Sequence, residues 1–172
     1  MDMDADTNPA GDVDSFLETN GRTFMMTRRK DGSPTIHPMA GFYGEGRLFL
    51  NMYSKSRKHR NLQRDPRITC LVTTPSDAED FRAVVYRGHA RALSPEETLG
   101  DDAPLGARVA RVGSMGGVLQ GDADQARFQS EDPDDLRKRA KVLVERIANQ
   151  TRVLWEVVPD HPGFLEEQRS ES

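Results

Sequence analysis

The sequence predicts a mainly β protein, a small and mostly antiparallel barrel of about six strands with helices at its ends or sides. Two observations lead to this fold class. Six short runs alternate apolar and polar side chains as half-buried strands do, and turn residues such as Asp31-Gly32 separate several of them. Only a few segments show helical periodicity, and they lie before, between and after the strands.

Length and composition indicate one domain. The chain has 172 residues, enough for a core that folds without disulfides, and its single cysteine excludes a disulfide framework. The formal net charge of −4 argues against general nucleic-acid binding, and the four histidines show no paired metal-ligand spacing. No apolar run approaches the ~20 residues of a transmembrane helix, and the acidic start is unlike a signal peptide. We therefore expect a cytoplasmic protein with no metal and no membrane contact.

Composition divides the chain into one domain and two tails. Residues 1–11 are acidic and poor in apolar side chains, which predicts a disordered tail. Residues 12–165 form the predicted domain, and 166–172 form the second tail. Residues 101–132 contain a glycine-rich piece without a following Gly-Lys-Ser/Thr, so they are expected to be a lid or linker insertion and not a nucleotide P-loop.

The periodicity of apolar residues, together with turn residues, predicts where the helices and strands lie. A first helix runs from Asp12 to a left-handed stop at Asn20-Gly21. Pro38 inside the second strand indicates an edge or a bulge, and Gly88 inside the fifth indicates a bend at a barrel corner. The predicted strands cover residues 22–28, 35–43, 47–53, 67–74, 81–93 and 151–158.

The C-terminal part predicts a helix and a strand. Asp132-Pro133-Asp134-Asp135 has the cap, proline and acids of a helix start. The last strand carries Trp155 on one face and Leu154 on the other, so we expect the core to cover one face and a second subunit the other. The helix stripe expected to pack on the sheet consists of Leu136, Ala140, Leu143, Val144 and Ile147.

The most informative stretch, residues 53–67, reads Y-S-K-S-R-K-H-R-N-L-Q-R-D-P-R. It predicts a short helix capped by Ser54 or Ser56 and ended by the following proline. Arg57 and Lys58 fall in the first turn, where cations oppose the helix dipole by about 0.3–1 kcal/mol. Two interpretations stay open on this spacing: a solvated basic helix, or an anion site where backbone N–H groups, serine hydroxyls and two cations converge.

Four pieces of the chain together resemble one family. They are Asp31-Gly32-Ser33-Pro34, then Ser54-Lys55-Ser56-Arg57-Lys58-His59-Arg60-Asn61-Leu62, then Arg64-Asp65-Pro66-Arg67, and finally Arg87-Gly88-His89-Ala90-Arg91. In this order and spacing the set is similar to the flavin and deazaflavin oxidoreductases of the split β-barrel fold, which include pyridoxamine 5'-phosphate oxidase. The resemblance covers residues 22–93 and, more loosely, the last helix and strand.

The resemblance implies a homodimer with two cofactor sites at the subunit interface, each built from both chains. It assigns the cofactor phosphate to Ser56, Arg57 and Lys58, with Ser54, Arg60 and Asn61 beside them. It lays the cofactor ring along the second and third strands, at His37, Pro38, Met39, Asn51, Met52 and Tyr53.

The resemblance implies the deazaflavin coenzyme F420 or FMN as the cofactor. Pyridoxamine phosphate oxidases carry R-x-V-L-L-K in a strand that binds FMN, whereas residues 35–40 here read T-I-H-P-M-A. Their C-terminal substrate-binding arginine motif is also missing, since residues 165–169 read L-E-E-Q-R, so vitamin B6 oxidation is not expected. The D-G-S-P and R-N-L-x-R-D-P-R features are more similar to the F420-using branch, which we favour. The side chains that could attract the polyglutamate tail of F420 are Arg57, Lys58, Arg60, Arg64 and Arg67.

The leading function hypothesis is an oxidoreductase that transfers a hydride between the bound cofactor and a small conjugated substrate. Tyr53, Tyr86 and His37 are candidate proton donors, and no single catalytic side chain is assigned. The alternative is a non-catalytic flavin or haem carrier, or a redox-sensing module, of the same fold. Haem would need an axial ligand such as His37 or His89. A nucleic-acid-binding basic helix is the third hypothesis, and the negative net charge opposes it.

Overall fold

Seven strands and four helices make up the described part of the chain, residues 9–103, 133–160 and 165–169 of a computed structural model. The helices are α1 (Pro9–Thr19), α2 (Arg57–Arg64), α3 (Pro95–Leu99) and α4 (Pro133–Ala148). The strands are β1 (Arg22–Arg28), β2 (Pro34–Gly44), β3 (Arg47–Tyr53), β4 (Arg67–Thr73), β5 (Arg82–Ala92), β6 (Arg152–Pro159) and β7 (Leu165–Arg169). The predicted insertion at 101–132 lies almost wholly outside the described residues.

Six strands close into an antiparallel barrel. Their order around it is β4, β1, β2, β3, β6 and β5, and β5 pairs back onto β4 to complete the ring. Each of the six strands therefore pairs with a neighbour on both sides for at least part of its length. The predicted fold class, a mainly β barrel of about six antiparallel strands, is confirmed.

Inward side chains fill the barrel with one continuous apolar core. Strand alternation places every second residue inside, and α1 and α2 add Phe16, Leu17 and Leu62 to the same core. Cys70 is fully buried here, and this burial raises the pKa of its thiol to about 12, so it is the unreactive core thiol that the alternation predicts. Other core members are Met25, Leu48, Leu50, Met52, Ile68, Val72, Val84, Tyr86, Trp155 and Val157.

Both ends of the described domain differ from the prediction. Helix α1 begins at Pro9, ahead of the predicted Asp12, because proline is well suited to the first helical turn. The segment 166–172, assigned to a tail, contains most of strand β7, which pairs with the first half of β5. Its sequence L-E-E-Q-R has no apolar alternation, so backbone pairing and not side-chain pattern makes it a strand. Residues 1–8 and 170–172 lie outside the described part.

Strand β2 changes its partner along its length. Residues 41–44 pair with β3, whereas residues 34–40 pair with β1 alone. Pro38 lies in this one-sided half, opposite Phe24 of β1, where its missing N–H costs the sheet least. The predicted edge position of Pro38 is therefore confirmed. The separation of β2 from β3 beyond Leu50 also opens the end of the barrel that α2 fills.

Gly88 marks the point where β5 changes partners. Residues 82–86 of β5 pair with β7, and residues 88–92 pair with β6 on the same edge. A Cβ at Gly88 would lie 2.1 Å from the carbonyl oxygen of Val158, so β6 approaches too closely for any side chain. The glycine is required by this close approach and not by a left-handed backbone.

The outward face of the β3–β6 region carries a second, smaller core. Phe49 and Leu154 are 0% and 1% exposed and pack with Leu93, with Phe42 at the margin. Leu154 is thus covered within one chain and needs no second subunit, whereas Val158 on the same face is 44% exposed. Of the predicted stripe on α4, Leu143 and Ile147 are buried but Val144 is 41% exposed; the side chains of Leu136 and Ala140 lie outside the described part.

Candidate cofactor site

Ser56 caps helix α2. Its hydroxyl accepts a hydrogen bond from the backbone N–H of His59 at 3.3 Å, which satisfies one of the free donors of the first turn. Ser54 instead bonds the turn before β6, since its backbone N–H and its hydroxyl both donate to the carbonyl of Thr151. Of the two caps that the sequence left open, the structure therefore selects Ser56, and Ser54 lies at the junction of α2 with β6.

The first turn of α2 holds cations and no acid. Arg57 is exposed, whereas Lys58 is half-buried with its Nζ 2.7 Å from the Sδ of Met39 on β2. Among the described residues no carboxylate lies within ion-pair distance of either side chain. Burial, followed by the charge of Arg152, lowers the pKa of Lys58. The conflict between charge and helix dipole seen in the sequence thus persists in the fold.

Further cationic groups from other elements converge on this point. The pKa of His37 on β2 is lowered by burial and then by the charges of Lys58, Arg57 and Arg29. Arg152, at the start of β6, lies near Lys58 and places its guanidinium 3.8 Å from the ring centroid of Tyr53. Helix α2, strand β6 and the β1–β2 turn that carries Arg29 therefore bring positive charge together, and a dianionic phosphate would neutralise it.

The side chains predicted to line a cofactor ring lie on two faces of the sheet. Gly41 on β2 pairs with Leu50 on β3, so the odd-numbered residues of β2 share a face with the even-numbered residues of β3. His37, Met39 and Met52 consequently point to the barrel interior, and Met52 is 1% exposed in the core. Pro38, Asn51 and Tyr53 belong to the outward face. One ligand can contact the side chains of both sets only at the open end, where β2 and β3 separate.

Asn51 is an orphaned polar group on the outward face. Its side chain is 8% exposed, and neither its Oδ1 nor its Nδ2 has a hydrogen-bond partner in the described part of the chain. An unsatisfied buried amide costs about 1–3 kcal/mol, so its presence calls for a partner that offers both a donor and an acceptor. The imide edge of a flavin or deazaflavin ring has this chemistry.

Tyr53 lies at the exposed rim of the same face. It is 46% exposed, and its pKa is lowered chiefly by a hydrogen bond from Arg152 and by the charge of that residue. A lowered phenol pKa suits a proton donor, which agrees with its place among the sequence candidates. Tyr86, another candidate, is fully buried, and its hydroxyl donates to the carbonyls of Gly46 and Val157. Its hydroxyl therefore stabilises the packed core and does not reach the candidate site.

Two further predicted residues take different positions on α2. Asn61 is 4% exposed, donates to the hydroxyl of Thr27 at 3.1 Å, and accepts from Arg64. Its amide is thus occupied in holding α2 to β1 inside the barrel. Arg60 is exposed on the solvent side of the helix.

Arg152 is the candidate site residue that sequence reasoning missed. The sequence places it only within the last predicted strand, residues 151–158, yet the β3–β6 pairing sets it directly opposite Tyr53 and therefore beside α2. A cation at the start of β6 becomes informative only once this register is known.

Of the described residues, no group of three or more His, Cys, Asp or Glu side chains could hold a metal ion. No helix in the same part of the chain is long and apolar enough to cross a membrane.

Comparison with known families agrees with this geometry. The sequence model of the family described as pyridoxamine 5'-phosphate oxidase matches residues 10–153. The chain belongs to this family. The match spans the barrel strands through the start of β6, and it includes both α2 and Arg152. No curated protein matches the chain.

Several solved structures share the fold of this family member. An F420 reductase is 21% identical with a TM-score of 0.51, and the alignment covers 86% of this chain and 93% of that one. A FAD-binding protein from Mesorhizobium loti is 15% identical, with a TM-score of 0.57 and coverages of 94% and 95%. The heme storage protein HutZ from Vibrio cholerae is 12% identical, with a TM-score of 0.54 and coverages of 92% and 92%. At these identities the likeness establishes the fold.

Proposed function

We propose that the protein is an oxidoreductase that transfers a hydride between a bound FMN or F420 and a small conjugated organic substrate. The observation that carries this proposal is the convergence of Arg57, Lys58 and Arg152 at the capped start of α2, with no carboxylate paired to them in the described residues. Such a site binds a phosphate through charge-assisted hydrogen bonds. When bound, the flavin or deazaflavin ring supplies the hydride chemistry.

The residues of the chain have separate tasks in this proposal. Lys58 and Arg57 bind the phosphate together with the free N–H groups of α2. Asn51 hydrogen-bonds the imide edge of the ring and fixes its orientation, because it is the buried amide without a partner. Tyr53, whose pKa is lowered by Arg152, holds a proton at its phenol oxygen at the exposed rim. This arrangement orients a ring and protects one of its edges from water.

The second subunit in this proposal covers the outer face of β1 and β2. Ile36 and Met26 lie opposite each other there and are 64% and 38% exposed, an apolar pair that the described residues leave largely uncovered. The face continues to Pro38, which belongs to the outward part of the candidate site. A homodimer built on it would therefore place residues of both chains around the cofactor.

Charge bears on the choice between the two cofactors. Of the five basic side chains proposed to attract a polyglutamate tail, Arg67 is paired with Asp65 at 2.8 Å, and Arg64 donates to the carbonyl of Arg28. The basic surface left for a tail is Arg57, Lys58 and Arg60. These three cations still favour F420, because they would attract its anionic tail, but they attract it less strongly than the five cations counted in the sequence would.

A carrier is the second candidate, and His37 is the observation that favours it. Burial and the neighbouring cations lower its pKa, so the imidazole is neutral at physiological pH, which is the form that ligates haem iron. His89 serves this purpose less well, because its Nδ1 contacts the carboxylate of Asp160.

Titration of purified apoprotein with FMN, with F420 and with hemin tests both candidates. Tight binding of FMN or F420, followed by reoxidation of the reduced cofactor on adding a conjugated acceptor, supports the oxidoreductase. Binding without turnover of any acceptor, or a haem Soret band that His37→Ala removes, supports the carrier. If no cofactor binds, the cationic cluster is a solvated surface and the proposal fails.

A further inference from the structure

A cavity of about 410 Å³ adjoins the candidate cofactor site. Its walls come from α2, the junction of β5 with α3, the end of α4 and the start of β6. Ser54 and Arg152 line it, so it shares two residues with the surroundings of the α2 N-terminus. Cavities of this size hold small organic ligands.

Much of the cavity wall is apolar. Leu93 and Pro95 come from the β5–α3 junction, Ile147 from α4 and Val153 from β6. Ile147 is 2% exposed and Leu93 is 6% exposed, so these side chains form a fixed wall and not a mobile surface. A ligand that fills the cavity therefore needs a flat or compact apolar body.

Arg152 supplies the uncompensated charge at this wall. The other charged lining residue, Glu97, is already engaged, since it accepts from Arg91 at 2.6 Å and from the backbone N–H of Ser94 at 2.8 Å. The Nε of Arg152 is buried and has no hydrogen-bond partner among the described residues. The guanidinium also donates to the phenol oxygen of Tyr53, so its Nε–H is the donor that lacks an acceptor.

His59 contributes a second donor. The indole Nε1–H of Trp155 can only donate, and it lies 3.2 Å from Nδ1 of His59, so Nδ1 is the acceptor. Burial lowers the pKa of His59 and keeps the ring neutral, which places its one proton on Nε2. His59 lines the cavity, and Trp155 thereby fixes it as a donor.

We infer that this cavity binds a small organic acid, with its carboxylate on the Arg152 guanidinium and the His59 Nε2–H and its apolar body against Leu93, Pro95 and Ile147. A carboxylate suits the pair, because its two oxygens can accept separately from the guanidinium and from the His59 Nε2–H, and the apolar lining residues accommodate the rest of a small acid. That the acid is the substrate rests on the proposed oxidoreductase function, whereas the binding site itself does not.

Titration of benzoate into the apoprotein tests the inference without any cofactor. Trp155 is the only tryptophan of the chain, so its indole N–H gives a single NMR signal that reports on the hydrogen bond to His59. Benzoate should shift this signal saturably, and benzamide, which has the same shape without the charge, should not. Absence of any benzoate shift in the native protein, or an equal shift with benzamide, would overturn the inference.

Four variants locate the site. Arg152→Gln should weaken benzoate binding about ten- to a hundred-fold, as loss of a charge-assisted hydrogen bond does, whereas Arg22→Gln on β1, away from the cavity, should not. Gln63→Phe, which fills the cavity from the solvent side of α2 and leaves Trp155 as the one indole signal, should abolish binding and gives an answer even if Arg152→Gln does not fold. Lys58→Ala should bind benzoate normally. Loss of binding in Lys58→Ala but not in Arg152→Gln would assign benzoate to the phosphate position and refute the acid site. The cofactor titration described above tests the proposed function separately.

Discussion

The indole Nε1 of Trp155 donates to Nδ1 of His59 across 3.2 Å, and the two rings meet edge to face with centroids 5.4 Å apart. Trp155 belongs to the barrel strand β6 and His59 to the first turns of α2, so this buried pair fixes the helix inside the open end of the barrel. Because Ser56, Arg57 and Lys58 lie on the same short helix, the pair also positions the candidate phosphate site.

The pair makes the stability of the fold depend on pH. Burial lowers the pKa of His59 below its usual 6.5, so below pH 6.5 the unfolded chain binds a proton that the folded chain does not. The contribution of His59 to the free energy of unfolding should therefore be fully present above about pH 6.5 and should fall as the pH drops towards the folded pKa, by at most about 1.4 kcal/mol per pH unit. The lowered pKa of His37 adds to the slope in the same direction. Urea unfolding followed by Trp155 fluorescence between pH 7.5 and 5 measures this slope. His59→Gln keeps an acceptor for the indole without titrating, and an unchanged slope in this variant would exclude His59 as its cause.

Lys58 is expected to dominate phosphate affinity. Lys58→Ala removes a half-buried ammonium that has no carboxylate partner in the described chain, so FMN or F420 should bind about 1.5–3 kcal/mol more weakly while the fold remains. Isothermal titration calorimetry of both proteins gives the difference. Lys55→Ala is the matched control, because Lys55 is exposed and lies just before the cap. Equal affinities for the Lys58 variant and the native protein would remove Lys58 from the site.

Gly88 is expected to tolerate no side chain. Gly88→Val places a branched Cβ against the carbonyl oxygen of Val158, which is backbone and cannot rotate away, so we expect a loss of about 3 kcal/mol or more of unfolding free energy. Thermal and urea unfolding check it. Ala92→Val, on the exposed end of the same strand, should change stability by less than about 0.5 kcal/mol. A Gly88 variant as stable as that control would show that β6 can move.

Local pattern predicted the parts of the fold that each strand determines by itself. The local pattern predicted the bounds of β1 and β3, and it offered Ser54 and Ser56 as caps of α2, of which the structure selects Ser56. Pairing between distant strands determined the rest. Strand β7 forms because β6 pairs only with residues 88–92 of β5 and leaves the edge of residues 82–86 free. Arg152 enters the candidate site because the β3–β6 register sets it opposite Tyr53.

The candidate site shows the same division between local and long-range information. Spacing identified the cations of α2 but could not show that Asn61 points inward to Thr27 while Arg60 points to solvent. Alternation does place Met52 and Asn51 on opposite faces of β3, but it could not show that Met52 meets the core and that Asn51 is buried without a partner. Helix and strand periodicities say which residues share a face, but only the packed structure says what that face meets.

The buried carboxylate of Glu156 gives the last prediction. Glu156 is 2% exposed on the outward face of β6 and forms ion pairs with Arg47 and with Arg91, the latter at 2.7 Å. The two arginines are about half exposed, so they can return to water, whereas the carboxylate cannot. Removing both arginines, as Arg47→Met with Arg91→Met, should therefore cost about 3–5 kcal/mol, because it leaves a buried charge without a partner.

The same asymmetry predicts a rescue. Glu156→Gln alone should cost less than the double arginine variant, and adding it to that variant should recover a large part of the lost unfolding free energy, since the neutral amide no longer needs a counter-charge. Urea unfolding of the four proteins forms a thermodynamic cycle in which each difference has a definite sign. A different result would contradict this prediction: Glu156→Gln could be the most damaging change and give no recovery in the double variant. The two ion pairs would then contribute nothing to stability, and the outward face would depend on packing by Phe49 and Leu154 alone.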